Sequence, residues 1–354
     1  MSLNGMALNS TPSLSASPRP RLAILDVGHG NSAVLVDDHG VVVIDAGPGS
    51  ALLDFLTQEG ISRIDVLLIS HADKDHIEGV IGLLASEEVS IGRIRLNSDA
   101  LKSSELWSDL LFDLDRRERL GKVDVDATLN ASHSGMFDQG SVHIEILAPS
   151  FYIAARGPGS HDRQGRVLTS NSISAVIRLV KNGRALVLLP GDIDEAGLAN
   201  LISACQDTET PMDATAPIVV FPHHGGRPGD ADMASFAKKF CELVRPAVVI
   251  FSIGRGRYQT PQPDVVSAVR EAVPNVRIAC TQLSTHCAAN APSIEPQHLM
   301  PQFARGREER RCCAGTLIFD LTDSDNTLLP SNTEHQDFIS LFAPTALCRR
   351  NDVI

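Results

Sequence analysis

Four side chains that can bind a cation fall within the stretch SHADKDHIEG, residues 70–79. They are His71, Asp73, Asp75 and His76. Imidazole and carboxylate groups together suit zinc or manganese, and a high share of carboxylate favours the harder ion. Ionisable groups packed so closely are costly unless a cation neutralises the carboxylates, so a divalent metal is the expected partner. The alternative is a solvated acidic turn with incidental histidines.

Three further candidate ligands lie later in the chain, each at the end of an apolar segment. Asp192 closes the segment RALVLLPGD, and His223 and His224 directly follow APIVVFP. Short apolar runs bounded by turn residues are typical of buried strands. Ligands at the ends of several strands are what a shared metal site requires, and they favour this interpretation over the acidic turn.

The segments that must position these groups form two halves with the same plan. The first half has a hairpin that ends at Asp45, a helix, and a strand at residues 65–70 that leads to His71. The second half has a hairpin that ends at Asp192, a helix, and a strand that ends just before His223. The order hairpin, aspartate, helix, strand, histidine therefore occurs twice.

These strands are apolar along their length, which indicates sheets that are covered on both faces. Two such halves packed sheet against sheet, with helices outside, predict an α/β fold of four layers, an αββα sandwich. Further helices are predicted at residues 101–120 and 263–273, a polar loop at 155–170 and a last strand at 314–322. Strand ends from both halves would then meet along one edge.

Composition limits the class of protein. With 354 residues, 43% of them apolar, the chain can form one large domain or two ordinary ones. It has no apolar run of about 18 residues that could span a membrane, and residues 1–20 lack the apolar stretch of a signal peptide. A cytoplasmic protein with a flexible N-terminal tail is expected. The net charge of −12 argues against broad DNA affinity, although bound divalent cations would change the sign of the charge locally.

Several motifs, in the right order, resemble the metallo-β-lactamase superfamily. HADKDH, residues 71–76, resembles its HxHxDH signature in the HxDxDH form typical of the soluble hydrolase domain of ComEC-type DNA-uptake proteins and their stand-alone relatives. DVGHGNS, VVVIDAG, SNSISAVIRL, LLPGDI, VVFPHHGG and SIGRGRYQTP resemble further motifs of that group. The resemblance covers roughly residues 21–322, identified as one metallo-β-lactamase-like hydrolase domain, with a tail at 1–20 and a C-terminal extension at 323–354.

This resemblance implies a site for zinc or manganese, with one or two ions per chain. One ion would be held by His71, Asp73 and a bridging Asp192. The ligands of the other ion would be Asp75, His76, Asp192 and one histidine of the pair His223 and His224. The implied nucleophile is a metal-activated water that Asp75 orients, and the remaining histidine would protonate the leaving group or contact the substrate.

Four other positions bear on the site. The resemblance implies that Asp45 orients the ligands, although capping of the next helix is an alternative. Asn171 stands where related hydrolases supply a histidine ligand, so the ion of His71 and Asp73 would be held less tightly. Thr260 and His29 replace residues expected in the group, which predicts altered substrate contacts.

The predicted function is that of a metal-dependent hydrolase, in the first place a phosphodiesterase or nuclease whose substrate could be nucleic acid. The alternative within the same fold is a peptidase, lactonase or esterase, including an effector that works in bacterial defence with protein partners encoded nearby. A catalytically silent binding module is disfavoured because the set of metal ligands is nearly complete.

Cysteines near the C-terminus form a second candidate site. Cys280, Cys287, Cys312 and Cys313 could build a structural zinc site. Their spacing is not the usual CxxC, however, and adjacent cysteines rarely bind one ion. Reduced cysteines at strand edges are the alternative.

Overall fold

The computed structural model describes residues 20–256, 258–322 and 327–349. The predicted tail lies outside the described residues except for Pro20, as do the two ends of the predicted C-terminal extension. The strands are β1 (Arg21–Ile24), β2 (Ala33–Val36), β3 (Val41–Ile44), β4 (Arg63–Leu68), β5 (Ser90–Arg95), β6 (Asp124–Asp126), β7 (Val142–Ala148), β8 (Val176–Lys181), β9 (Arg184–Leu189), β10 (Ile218–Val220), β11 (Val248–Phe251), β12 (Arg277–Cys280), β13 (Leu317–Asp320) and β14 (Leu328–Leu329).

Eight α-helices connect or flank these strands in the described part of the chain. They are α1 (Ala51–Gln58), α2 (Lys74–Ala85), α3 (Glu105–Arg119), α4 (Phe151–Arg156), α5 (Glu195–Cys205), α6 (Met233–Val244), α7 (Pro263–Ala272) and α8 (Asn332–Phe342). The predicted helix at 101–120 begins only at Glu105, because the Ser104 side chain caps it by accepting a hydrogen bond from the backbone N–H of Trp107.

The strands form two mixed sheets. One has eight strands in the order β14-β13-β1-β2-β3-β4-β5-β6, and the other has six in the order β12-β11-β10-β9-β8-β7. Each predicted hairpin is present, as β2 with β3 and as β8 with β9. In each sheet the second strand of the hairpin then pairs in parallel with the strand that follows the next helix, as β3 with β4 and as β9 with β10. The two halves therefore repeat one plan, as the sequence predicts.

Alternate side chains of the strands enter different hydrophobic layers. In β1, Leu22 and Ile24 pack between the two sheets, whereas Ala23 packs against the helices on the outer face. The first sheet carries α1, α2 and α3 on that outer face, and the second sheet carries α5, α6, α7 and α8 on its own. The predicted αββα sandwich is thus confirmed, with burial on both faces explaining the continuous apolar runs.

The C-terminal region differs from the prediction of an extension without secondary structure. Strand β14 pairs with β13 at the edge of the first sheet, and Phe338 and Ile339 of α8 are buried in the core of the second sheet. Residues 327–349 therefore belong to the folded domain. None of the described helices combines the length and the hydropathy needed to cross a membrane.

Candidate metal centre

The candidate ligands follow the ends of parallel strands from both sheets. Asp45 directly follows β3, and His71 lies three residues after the end of β4. Asp192 and His223 lie three residues after the ends of β9 and β10. Because polar groups at these ends are supplied by both halves of the sandwich, one site can draw its ligands from residues far apart in sequence.

Four of the predicted ligands meet in one cluster. The His224 Nε2 atom lies 3.0 Å from Asp75 Oδ2 and 3.5 Å from Asp192 Oδ2, and His76 Nε2 lies 3.3 Å from Asp192 Oδ1. Each residue offers one ligand atom, and these atoms all lie within 4.8 Å of one another. Two imidazole nitrogens and two carboxylates at these separations fit one transition-metal ion.

Hydrogen bonds fix which nitrogen of each imidazole faces the cluster. The Nδ1–H of His76 donates to Asp45 Oδ2 at 2.7 Å, and the Nδ1–H of His224 donates to the carbonyl oxygen of Ser252 at 2.7 Å. In both rings the Nε2 atom therefore faces the carboxylates. Histidines that bind metals in proteins are oriented by hydrogen bonds in the same way. Asp45 also accepts hydrogen bonds from the backbone and the hydroxyl of Ser70.

Replacing Asp45 by asparagine is expected to weaken metal binding by about 10- to 100-fold, because His76 loses the carboxylate that orients its ring and increases its basicity. Asp45→Asn and the wild-type protein would be compared by competition with a metal-binding indicator. Asp109→Asn, at an exposed position of α3, is the matched control. Unchanged affinity in Asp45→Asn would show that Asp45 has no role in metal binding.

The backbone at the site is held in conformations that side chains rarely adopt. Asp45, His223 and His224 have φ values of 60°, 51° and 56°. Non-glycine residues in this left-handed region cost on the order of 1–3 kcal/mol each and persist where the surrounding structure imposes them. Gly191 (φ 54°) precedes Asp192, and a Cβ there would lie 2.2 Å from Ser174 Oγ, so the GD pair depends on glycine.

Burial disfavours the charged forms of the side chains in the cluster, but their opposite charges stabilise one another. Burial alone would raise the pKa values of Asp75 and Asp192, yet His224 and His76 hold both pKa values well below the usual range of a carboxyl group. Burial would lower the pKa of His76, yet Asp192 and Asp45 raise it well above normal. The ligand set therefore pairs buried carboxylates with a His76 imidazole whose protonated form they favour, and a divalent cation would replace that proton.

His71 and Asp73 lie beside the cluster but outside the group of four. The Nε2 atom of His71 is buried and has no hydrogen-bond partner among the described residues, and it lies 3.7 Å from Asp73 Oδ2. Asp73 also forms an ion pair with Lys102. Burial would raise the pKa of Asp73, but interactions with His71 and Lys102 hold it well below normal. The orphaned nitrogen fits a second ion, whereas the Lys102 ammonium group competes with one.

Removing the charge of Lys102 is expected to strengthen the binding of a second ion. Lys102→Met should raise the affinity for that ion by at least about tenfold, since a unit charge a few ångströms away contributes on the order of kcal/mol near a protein surface. Titration calorimetry with Mn²⁺ would measure both ions. Lys239→Met, at an exposed position of α6, is the control. Weaker binding in Lys102→Met would mean instead that Lys102 positions Asp73 as a ligand.

His223 and Asn171 occupy positions next to the cluster. His223 Nδ1 lies 3.0 Å from Asp192 Oδ2, and its side chain keeps 30% of its surface exposed, compared with 2% for His224. Asn171 Nδ2 lies 3.5 Å from His223 Nδ1, and its Oδ1 atom is buried without a hydrogen-bond partner among the described residues. The geometry therefore distinguishes the two histidines, with His224 in the ligand cluster and His223 on the solvent side.

The sequence predicts altered substrate contacts at His29, and the structure places this residue beside the ligand cluster. His29 Nε2 lies 3.8 Å from Asp75 Oδ2, and the ring stacks on Tyr258 with centroids 4.1 Å apart. Burial, with the neighbouring charge of His224, lowers the pKa of His29 to about 4. The side chain is thus a neutral imidazole in the wall of the pocket. The sequence signal for this position was a histidine that lies between two glycines in a turn.

The cluster opens into a pocket of about 630 Å³. Its lining includes Asp73, Asp75, His223 and His224 together with Lys74 and Arg227. Thr260 also lines this pocket. The ligand cluster is therefore accessible to a small molecule or to an extended part of a larger one.

Part of the chain is similar to a known protein family. Residues 25–155 match the family model of the metallo-beta-lactamase superfamily. This part of the chain is therefore similar to the metallo-beta-lactamase superfamily. The matched segment holds Asp45 and residues 71–76, whereas Asp192 and His224 of the same cluster come from the second half of the sandwich.

The individual proteins that the chain resembles are distant from it in sequence. The chain is 23% identical over 269 residues to ComE operon protein 3 of Bacillus subtilis (strain 168), covering 70% of this chain and 30% of that protein. The metallo-beta-lactamase fold protein YhfI from Bacillus subtilis has 11% identity and a TM-score of 0.43, over 74% of this chain and 96% of its own. Human tRNase Z, short form, has 16% identity and a TM-score of 0.35, over 64% and 91%. The chain thus spans less than a third of the length of its curated relative.

The predicted cysteine site is only partly assembled. The side chains of the adjacent Cys312 and Cys313 point to different partners: Cys312 Sγ lies 3.3 Å from Asp26 Oδ2, whereas Cys313 Sγ contacts His335. The Cys287 sulfur accepts a hydrogen bond from the backbone N–H of Leu347. The structure therefore does not bring the side chains of Cys312 and Cys313 to one point, and a zinc site of Cys280, Cys287, Cys312 and Cys313 stays a prediction.

Proposed function

We propose that this metallo-β-lactamase protein is a metal-dependent phosphodiesterase, with nucleic acid as its substrate class. The observation that carries the proposal is the cluster of Asp75, His76, Asp192 and His224 at the base of a pocket that has basic side chains on its wall. The motif resemblance to the hydrolase domain of DNA-uptake proteins supports the choice of a phosphodiester.

Two basic side chains in the lining of the pocket, Lys74 and Arg227, are suited to contact an anionic substrate. Arg227 lines the pocket, is exposed, and has no side-chain hydrogen bond or ion pair with any described residue. Lys74 lies on the same pocket, although it also pairs with Glu78 at 3.4 Å. In a chain of net charge −12, an unpaired arginine beside a metal-ligand cluster is suited to contact a phosphate oxygen.

The residues divide into two ligand sets and a proton donor. Asp75, His76, Asp192 and His224 would hold one zinc or manganese ion. His71 and Asp73, with Asp192 and the Oδ1 atom of Asn171, would hold a second, weaker one. When bound, the cations supply Lewis acidity that activates water and polarises the phosphorus–oxygen bond.

His223 is suited to protonate the leaving group. Burial would lower its pKa, but the contact with Asp192 raises it above normal, so the ring keeps its proton to a higher pH than a free imidazole does. Asp192 fixes the Nδ1 side of the ring, and the ring lines the pocket. A positioned acid of this kind contributes about 10²- to 10⁴-fold to a rate.

Hydrolysis of carboxylic esters or lactones is a second candidate activity. It is favoured by the neutral, stacked pair of His29 and Tyr258 in the pocket wall, because such a surface accommodates an uncharged acyl group. Both activities would use the same ligand cluster, so only substrates distinguish them.

A substrate panel tests the proposal. Bis-p-nitrophenyl phosphate, single- and double-stranded DNA, p-nitrophenyl acetate and a homoserine lactone would be incubated with the Mn²⁺- and Zn²⁺-loaded protein, with Asp75→Ala and with the surface control Asp109→Asn. We expect cleavage of the phosphodiesters that is lost in Asp75→Ala and kept in Asp109→Asn. Metal-dependent cleavage of only the ester or lactone would overturn the phosphodiester assignment in favour of the second activity.

We also infer a cytoplasmic location. All seven cysteines are free thiols. Reduced cysteines are typical of proteins in the cytosol, where disulfides rarely persist.

A further inference from the structure

A second group of metal-ligand side chains lies outside the pocket, where α8 packs on the second sheet. Cys313, His335 and Cys348 each offer one ligand atom, and these atoms all lie within 4.8 Å of one another. Their exposed fractions are 0%, 0% and 1%. The group draws on the loop before β13, on α8 and on the segment after α8, so residues far apart in the sequence converge on one buried point.

The separations are those of ligands that share one ion. Cys313 Sγ lies 3.9 Å from Cys348 Sγ and 3.1 Å from His335 Nε2. Two thiolates on a tetrahedral zinc ion, with Zn–S distances of about 2.3 Å, lie about 3.8 Å apart. The sulfur pair fits this value closely. The distance between the Cys313 sulfur and the His335 nitrogen is shorter than the corresponding value of about 3.5 Å. It would increase slightly around a bound ion.

Cys280 lies beside this group of three and is the candidate for a fourth ligand. It is the last residue of β12, is 1% exposed, and its thiol forms a hydrogen bond with the Cys348 sulfur. Cys287, the other nearby cysteine, is already engaged through the backbone N–H of Leu347. Three cysteines and one histidine around a buried point, without the opening of the active-site pocket, match the closed ligand sets of structural zinc sites.

We propose that Cys280, Cys313, His335 and Cys348 bind a structural zinc ion that fastens the C-terminal segment to the second sheet. The site is separate from the catalytic cluster and shares no residue with it. Its four ligands lie in β12, in the loop before β13, in α8 and in the segment after α8. Zinc would therefore hold α8 in place on the sheet, since each ligand contributes binding free energy that the unfolded chain lacks.

Metal analysis in a variant of the catalytic cluster tests this proposal. Full-length Asp192→Ala protein, purified with reductant and dialysed after exposure to zinc, is expected to retain about one zinc ion per chain. X-ray absorption at the zinc edge should show sulfur and nitrogen neighbours in a ratio near three to one. Adding Cys348→Ser should remove this zinc, whereas adding Cys312→Ser should leave it, because Cys312 is equally buried but contacts Asp26 instead.

If the variant with Cys348→Ser does not fold, the zinc content of the Asp192→Ala protein still tests the proposal. Absence of bound zinc in that folded parent, or a zinc environment without sulfur, would overturn the proposal. A disulfide among these cysteines, detected by mass spectrometry under non-reducing conditions, would overturn it as well. None of these readouts depends on catalysis, so a failed substrate panel and a failed zinc site are distinguishable.

Discussion

Replacement of Asp192 by asparagine is expected to lower kcat/KM by about 10³-fold or more and to release the ion held with Asp75. The Asp192 carboxylate lies 3.3 Å from His76, 3.5 Å from His224 and 3.0 Å from His223, so it joins both halves of the site. Asparagine keeps the shape of this side chain but removes its charge. Loss of one charged group aimed at the reacting centre costs about 10²- to 10³-fold in rate, and loss of the metal adds to this.

Metal content and rate should be measured on the same preparations of Asp192→Asn. The surface variant Asp109→Asn should match the wild-type protein in both. A folded Asp192→Asn protein that retains stoichiometric metal at the pocket and near-normal turnover would refute the role of Asp192 as a shared ligand. Circular dichroism would confirm that both variants are folded.

The adjacent histidines are expected to fail in different ways. His224→Ala should lose both the metal and the activity, because its Nε2 atom belongs to the ligand cluster. His223→Ala should keep the metal but lose about 10²- to 10³-fold in kcat, because it removes a proton donor and not a ligand. Metal analysis and kcat, determined for the two single variants side by side, separate these outcomes.

The pH dependence of kcat gives a second test of His223 as the proton donor. Its pKa is raised by Asp192, so the protonated ring is present below the raised value and is lost as the pH rises through it. The alkaline decrease in kcat of the wild-type protein should therefore be absent in His223→Ala. Equal metal loss in the two histidine variants, or an unchanged alkaline limb, would contradict the assignment.

Much of the fold follows from local patterns in the sequence. The hairpins that end at Asp45 and Asp192 are predictable because short apolar strands flank turns such as KNG, where Asn182 and Gly183 both have positive φ. The candidate ligands follow the ends of these strands. All four residues of the ligand cluster could therefore be predicted from the spacing and order of the motifs. The helix α8 is harder to predict because its core contacts are few, mainly Phe338 and Ile339.

The parts of the site that could not be predicted depend on tertiary structure. Lys102 reaches Asp73 from the segment before α3, which the sequence instead predicts as the first turn of that helix. The difference between His223 and His224 arises from the left-handed backbone of both residues, which residue type alone does not determine. The approach of His335 and Cys348 to Cys313 could not be predicted, because it depends on the position of α8 on the second sheet, which only the folded chain shows.

Anomalous diffraction from crystals grown with Mn²⁺ or Zn²⁺ would test most directly whether the two halves of this sandwich hold a catalytic metal between them. We predict a strong anomalous peak within bonding distance of Asp75, His76, Asp192 and His224, with a weaker peak between His71 and Asp73. A map of the metal-exposed protein that has no peak within reach of the first four residues would contradict the account.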